Sequence, residues 1–103
     1  MWAQLITMRI KPGMAQSFIS VIEQLNAIEQ PDSGLVRQIA LQDQKDPNKY
    51  FMLAIFESEE KARKRENDPR RAEGLEAIRS TMVEMVDGLR EFVDVNVIAD
   101  IAQ

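Results

Sequence analysis

The sequence contains no cysteine and no histidine. Without cysteine, the chain has no disulfide, no thiolate metal ligand and no cysteine nucleophile. Without histidine, it lacks the usual general base, the usual ligand of zinc and non-haem iron, and the commonest axial ligand of haem. We therefore expect no tightly bound transition metal and no histidine-ligated haem, and we assign no cofactor.

Positive charge is also in deficit. The 103 residues carry 13 basic and 17 acidic side chains, a net charge of −4, so nucleic acid and anionic membrane surfaces are not expected as partners. No stretch approaches the roughly 18 apolar residues of a membrane span. The first residues lack the basic start and continuous apolar run of a secretory signal. We expect a single domain over residues 1–103, located in the cytoplasm.

Apolar residues in the first half of the chain follow strand and helix patterns in turn. Residues 2–10 are apolar on both sides and predict a buried strand. A helix follows from Met14 and stops at the turn Pro31–Gly34. Leu35–Gln42 and Tyr50–Phe56 then predict two strands joined as a hairpin. The apolar face of the helix consists of Phe18, Val21, Ile22, Leu25 and Ile28.

The second half predicts two more helices and a last strand. Ser58 is a plausible N-cap for a short charged helix, Glu59–Glu66. Asp68 and Pro69 then begin one long helix that ends near Gly88. Residues 92–101 alternate as a strand with one buried and one partly wet face. The apolar stripe of the long helix consists of Leu75, Ile78, Met82, Met85, Val86 and Leu89.

The resulting order, β-α-β-β-α-β, is that of the ferredoxin-like α+β fold, with two helices covering one face of a four-stranded antiparallel sheet. The strands are nevertheless apolar on both sides: Trp2, Ile6 and Met8 lie on one face of the first strand, and Ala3 and Leu5 on the other. An exposed apolar face of that size is unusual for a monomer. We therefore expect a homodimer in which a second subunit covers the sheet, in twofold symmetry.

Four short motifs resemble the antibiotic biosynthesis monooxygenase family. They are Ile10–Gly13 opening a helix, Asp46–Asn48 before an aromatic strand, Phe56–Glu60 closing that strand, and Asn67–Pro69 after the short helix. The resemblance covers nearly the whole chain and implies a dimeric α+β barrel. Better-known members of the family oxidise polycyclic aromatic compounds to quinones without metal or flavin, and others degrade haem.

The chain departs from the family at its chemical positions. Phe56 stands where members often have tryptophan, and Ala54 where they often have glutamate. Arg65 and Arg70 stand near positions where members often have histidine. In the haem-degrading branch an asparagine, a tryptophan and a histidine fall near Ile6, Arg65 and Leu75, none of which could serve. The resemblance therefore implies a monooxygenase only in a form that needs no histidine.

Three side chains are candidate ligand-binding residues: Tyr50, Arg37 and Asn96. The Tyr50 phenol could hydrogen-bond a hydroxylated aromatic ligand, or could simply be an amphipathic residue at a sheet edge. Arg37 lies among apolar neighbours and needs an anionic partner, either a ligand or a nearby carboxylate such as Asp94 or Glu57. Asn96 either lines a pocket or faces water. No catalytic residue is assigned.

The six basic residues between Lys61 and Arg71 are interleaved with acidic ones. This pattern favours a solvated helix face with i,i+4 ion pairs over a nucleic-acid patch. Because the chain carries no other cluster with a recognisable chemistry, the charged segment adds no function of its own.

Two functions remain open. The first is a cofactor-independent monooxygenase-like protein that acts on a small aromatic or quinol-type compound. The second is a non-catalytic dimer of the same fold that binds a small molecule or is purely structural. In either case we expect any cavity to lie between sheet and helices and to be apolar. Its predicted lining is Phe18, Ile22, Leu75, Ile78 and Met82, with Ala54 and Phe56 on the sheet.

Overall fold

The computed structural model describes all 103 residues and has four strands and four helices. The strands are β1 (Trp2–Arg9), β2 (Leu35–Gln42), β3 (Lys49–Phe56) and β4 (Glu91–Asn96). The helices are α1 (Ala15–Ala27), α2 (Glu59–Glu66), α3 (Pro69–Glu76) and α4 (Arg79–Met85). The strands form one antiparallel sheet in the order β2-β3-β1-β4. This is the ferredoxin-like topology, so the predicted fold class is confirmed.

The register of β1 and β3 sorts their side chains between two faces. Trp2 lies opposite Phe56 and Met8 opposite Tyr50, so these four share the face that packs against the helices. The core on this face has two clusters. One joins both strands to α1 and α4: Met8, Ile10, Phe18, Val21, Tyr50, Met52 and Met85. The other joins them to α2: Trp2, Ala54, Phe56 and Ala62.

Local capping explains where the short helices begin. The backbone N–H of Lys61 donates to Ser58 Oγ at 3.2 Å, so Ser58 is the N-cap of α2 as predicted. The backbone N–H of Arg70 donates to Asp68 Oδ1 at 2.9 Å, and Pro69 occupies the first turn of α3. A proline is tolerated there because its missing N–H would have no helical partner.

The predicted long helix is wrong in one respect, because it is divided into α3 and α4. The backbone N–H of Ile78 bonds to the carbonyl of Leu75, a tighter i→i−3 step, and the buried Ile78 side chain marks the bend. Beyond the bend, α4 ends at Met85 because the chain there joins the sheet. The carbonyl of Met85 accepts from the N–H of Lys11 at 2.9 Å, and Val86 bridges to Ile10.

The last strand is shorter than the predicted 92–101. Asn96 lies opposite Trp2, the first residue of β1. The next backbone N–H, that of Val97, bonds to the carbonyl of Met1, and beyond it β1 offers no further partner. Ile98 and Ile101 are therefore exposed and unpaired, although their alternation continues the strand pattern.

An irregularity in β2 changes the predicted alternation of its side chains. Leu35 lies opposite Phe56 and packs against the helix-side core, whereas Arg37 lies opposite Ile55 on the other face. The register shifts at Val36, an extra residue that has no partner on β3. Leu35 and Arg37 thus point to opposite faces, where strict alternation placed them on the same one.

The second face of the sheet carries no helix. Ala3 and Ile55 are buried there between neighbouring strands, while Leu41 and Val93 are about half exposed. The other apolar side chains of this open face are Leu5, Ile39, Phe51, Leu53 and Val95. Separately, none of the helices is long and apolar enough to cross a membrane.

The contact between α3 and the end of α1 generates a prediction about stability. A Cβ at Gly74 would lie 2.8 Å from Cγ2 and 2.9 Å from Cδ1 of Ile28. Gly74→Ala should lower the free energy of unfolding by about 1–3 kcal/mol through overpacking, although alanine is the better helix former by about 1 kcal/mol. Urea denaturation measures this. In an Ile28→Ala background the same change should become neutral or stabilising, and a stabilised single variant would contradict the close contact.

Candidate functional site

A groove of about 270 Å³ opens between α1 and the β2–β3 edge of the sheet. Its floor is Ala40 and Met52, which lie opposite each other in the sheet. Ala40 is small, so α1 and β2 do not fill the space between them. The groove is lined by Ile22, Glu23, Asn26, Gln38, Ala40 and Met52. An apolar floor with a few amide and carboxylate groups at its rim suits a flat, partly polar small molecule.

Tyr50 lies two residues before Met52 on β3, and the two side chains are on the same face of the sheet. It is buried, and its ring packs against Phe18 with centroids 4.7 Å apart. Gln42 lies opposite it, and Gln42 Nε2 donates to Tyr50 Oη at 3.2 Å. The same amide nitrogen donates to the carbonyl of Pro47 at 2.9 Å, which holds the Gln42 side chain in place. Tyr50 Oη thus accepts one hydrogen bond and keeps its own proton to donate.

Arg37, the second candidate, lies away from the groove. It is exposed on the open face, opposite Ile55, and has no ion pair. Neither carboxylate considered as its partner contacts it: Asp94 pairs with Arg63 at 2.8 Å, and Glu57 pairs with the lysine four residues further on. Within the chain, therefore, neither Asp94 nor Glu57 is the predicted partner of Arg37, because the Arg37 side chain lies on the open face of the sheet and is exposed rather than half-buried.

Asn96, the third candidate, is the last residue of β4 and is exposed. It lies opposite Trp2, whereas Tyr50 lies opposite Met8, six residues further along β1. That separation is roughly 20 Å at the rise of a strand. The three predicted residues do not converge: Tyr50 lies next to Met52 on the helix-side face of the sheet, but none of the three lines the groove.

The interior between sheet and helices is filled by side chains rather than open. Phe18, Ile78 and Met85 are buried, and Ile22 and Met82 pack against the same cluster. The predicted cavity lining is therefore mostly core. Ile22 is the one member of that predicted set that also lines the groove.

Two arginines of α2 cover the aromatic pair at the end of the sheet. The rings of Trp2 and Phe56 lie 5.9 Å apart. The guanidinium of Arg63 lies 5.1 Å from the Trp2 ring centroid, and that of Arg65 lies 5.2 Å from the Phe56 ring centroid. Cation–π contacts of this kind hold α2 on the sheet. Members of the family often have a histidine near the position of Arg65. In this chain an arginine occupies that position and packs on Phe56.

Arg65 also forms the most buried ion pair of the molecule, with Glu29. Arg65 Nε and Nη2 donate to the two Glu29 carboxylate oxygens at 2.8 and 2.7 Å, with side-chain exposures of 13% and 17%. Burial raises the pKa of Glu29, but hydrogen bonds from Arg65 and Ser33 outweigh it, so the pKa lies below its ordinary value. The sequence hid this pair because its members are 36 residues apart. The one available signal was that Arg65 follows the inward-facing Ala62 by three residues.

The remaining charges on α2 and α3 pair with one another at the surface. Lys64 pairs with Glu60 at 3.5 Å and Arg63 with Glu59 at 3.2 Å, both four residues apart. This agrees with the predicted solvated helix face. A polar cleft of about 360 Å³ lies beside them, but each of its cations already contacts a carboxylate. Its lining is Asp32, Ser33, Lys61, Lys64, Arg65, Asp68 and Arg70. No group of three acidic side chains lies close enough to hold a metal ion.

The Glu29–Arg65 pair predicts a pH-dependent loss of stability. Glu29→Gln should lower the free energy of unfolding at pH 7 by about 1–3 kcal/mol, because a mostly buried guanidinium loses its counter-charge. Because the folded pKa of Glu29 is depressed, its contribution is complete above the ordinary value of 4.5 and is lost as the pH falls through the folded pKa. The difference in stability between wild type and variant should therefore start to shrink as the pH falls below 4.5 and disappear below the depressed folded pKa of Glu29. Glu60→Gln, which breaks an exposed pair, is the control and should cost under ~1 kcal/mol.

Comparison with known proteins places this arrangement in a family. A family model described as antibiotic biosynthesis monooxygenase matches residues 1–77. No curated protein matches the sequence. The matched residues include β1, α1, the β2–β3 hairpin, α2 and α3. They contain every residue that lines the groove, and Tyr50.

Solved structures with the same fold cover almost the entire chain. A putative antibiotic biosynthesis monooxygenase from Nitrosomonas europaea is 14% identical with a TM-score of 0.75, covering 96% of this chain and 100% of that one. SnoaB, a cofactor-independent oxygenase from Streptomyces nogalater, is 17% identical with a TM-score of 0.74, covering 99% and 97%. A MhuD variant with two manganese protoporphyrin IX molecules bound per active site is 15% identical with a TM-score of 0.74, covering 100% of both chains. The TM-scores establish the shared fold, and at these low identities they establish the fold alone. The family match extends over most of the sequence. The chain belongs to the antibiotic biosynthesis monooxygenase family.

Proposed function

We propose that this protein binds a small aromatic or quinol-type compound in the groove between α1 and β2 and oxidises it with molecular oxygen, without a cofactor. For a ring methylene, one O₂ converts the CH₂ to a carbonyl and releases one water. The carbon loses four electrons and the oxygen gains four, so no external reductant is needed. The similarity in fold to SnoaB, a cofactor-independent oxygenase, supports this reaction type.

The observation that carries the proposal is the juxtaposition of an apolar floor and one phenol. Ala40 and Met52 offer a flat apolar surface. Tyr50 does not line the groove, but it lies two residues from Met52 on the same face of the sheet, and its hydroxyl keeps a proton to donate. A hydrogen bond from Tyr50 to a substrate oxygen would orient the ring and stabilise the electron-rich anion that reacts with oxygen. Glu23 at the rim is the groove's own ionisable side chain and would accept a hydrogen bond from a substrate hydroxyl. A ligand-binding role for Arg37 and Asn96 stays a prediction.

A second candidate function, non-catalytic binding, is favoured by the packing of the interior. Substrate in the groove would remain partly exposed to solvent, since the space beneath the helices is filled by Phe18, Tyr50 and Met85. A wet site offers little of the desolvation on which an unassisted reaction with oxygen depends. This observation predicts slow turnover or none in a protein that still binds aromatic compounds.

A substitution that fills the groove tests both candidates. Ala40→Phe should weaken binding of anthrone and of hydroquinones by about tenfold or more, measured by calorimetry, and should lower oxygen uptake in parallel. Ala15→Phe adds the same side chain at an exposed position of α1 and should change neither quantity. Binding without oxygen uptake in the wild type would select the non-catalytic function. Ala40→Phe with unaltered affinity would place the ligand elsewhere.

We further propose that the protein is a homodimer in which the open faces of two sheets pack together. The apolar side chains on that face are too numerous to be left in water, and an obligate interface of this kind typically buries more than ~1,500 Å² in total. Twofold symmetry lets one apolar patch serve both subunits.

Sedimentation equilibrium at micromolar concentration checks the dimer. Leu53 lies at the centre of the open face, between Leu5 and Ile39. Leu53→Glu should therefore convert the protein to monomer, because two carboxylates would be buried near the symmetry axis. Val83→Glu places the same charge on an exposed helix position and should leave the association unchanged. A folded wild-type monomer at that concentration would refute the dimer.

A further inference from the structure

The groove between α1 and β2 is lined by three polar side chains. Glu23 and Asn26 are three residues apart on α1, so they lie on the same side of the helix. Gln38 and Ala40 are two residues apart on β2, so both lie on the helix-side face of the sheet. One carboxylate and two amides therefore surround the apolar floor of the groove.

The hydrogen-bonding groups of these three side chains have no partner within the chain. The side-chain hydrogen bonds of α1 and β2 belong to other residues: Gln24 bonds to Ser20 in α1, and Gln42 forms those of β2. The ion pairs of the molecule likewise involve carboxylates other than Glu23. The groove thus offers a ligand one carboxylate and two amide oxygens as hydrogen-bond acceptors.

The charge that faces the groove is negative. Glu23 is the only charged residue of α1. Arg37 is the only charged residue of β2, and it lies on the opposite face of the sheet. No residue that lines the groove is basic. A ligand on the floor therefore meets a negative charge that no lining cation neutralises, which favours a cationic ligand over an anionic one.

We propose that the groove selects an arylalkylamine, an aromatic ring joined by a short alkyl chain to a protonated amino group. This inference rests on the proposed function and narrows its substrate class. The ring lies on Ala40 and Met52, and the ammonium group pairs with Glu23. An ammonium group has three N–H donors, and the acceptors around the groove are the Glu23 carboxylate and the amide oxygens of Asn26 and Gln38. Glu23 is thus a specificity residue that selects a cationic aromatic compound over a neutral or acidic one.

Three probes that share a phenol ring test this selection: tyramine is cationic, tyrosol is neutral and p-hydroxyphenylpropanoate is anionic. Calorimetry on the full chain at pH 7 should show that wild type binds tyramine about 3- to 10-fold more tightly than tyrosol, and the propanoate most weakly. Added salt should reduce the preference for tyramine, because the Glu23 side chain is exposed and its charge is screened.

Substitutions of Glu23 test whether this carboxylate is responsible. Glu23→Gln removes the charge but keeps the size of the side chain, so the affinities for tyramine and tyrosol should come within about twofold of each other. Glu23→Asp keeps the charge on a shorter side chain and should retain an intermediate preference. Glu84→Gln removes the same charge from an exposed position of α4 outside the groove and should behave as wild type. Thermal denaturation checks folding, and neither exposed position should change stability by more than about 0.5 kcal/mol.

The outcomes separate this inference from the proposed function. If the three probes bind wild type equally and Ala40→Phe weakens all of them, the groove binds aromatic compounds without selecting their charge, and this inference alone fails. Tighter binding of the propanoate than of tyramine would overturn it as well. If Glu84→Gln weakens tyramine as much as Glu23→Gln does, attraction to the net negative charge of the protein replaces a contact with Glu23. If no probe binds, both proposals fail.

Discussion

β1 is the constraint on which the rest of the structure depends. It is paired on both sides, so its eight residues determine which backbone groups of β3 and β4 can find partners. β3 matches it from end to end, and β4 ends where β1 begins. Just beyond its other end, Ile10 and Lys11 hold the chain that leaves α4. Since a buried backbone group without a hydrogen bond is costly, the length of one central strand limits three other elements.

The predictions that succeeded depend on local chemistry. The predicted bounds of β2 and α2 agree with the structure to the residue, because residues next to each element determine them. A turn precedes Leu35, and Ser58 caps the first turn of α2. The predictions are wrong at the ends of α4 and β4, because the position of each end is set by a residue that is distant in the sequence. No nearby residue signals that the chain must leave its helix after Met85 to meet Ile10, or that strand pairing stops at Asn96 because Trp2 is the first residue of β1.

The candidate site shows the same division. Tyr50, predicted from its residue type and strand position, lies two residues from Met52 on the helix-side face, but it is a core residue that does not line the groove, and its ligand-binding role stays a prediction. The groove exists because of the distance between α1 and the small residue Ala40 on β2. The periodicity of the sequence does not predict that distance. Glu29 was not identified at all, because its partner Arg65 belongs to a segment whose charges otherwise alternate as on any solvated helix.

Two arginines lie near Glu29, and they differ in how many stabilising contacts they form. Arg65 lies over Phe56 and pairs with both carboxylate oxygens of Glu29, so it connects α2 both to the sheet and to the end of α1. Arg71 forms no direct ion pair, and Glu29 and Glu66, which lie close enough to act on its charge, offset only part of the cost of its dehydration. Residues that lower the stability of a fold are found most often at functional positions, because selection for function can retain them. In a chain without histidine or cysteine, the groups available to recognise a ligand are positioned charges, hydroxyls and amides.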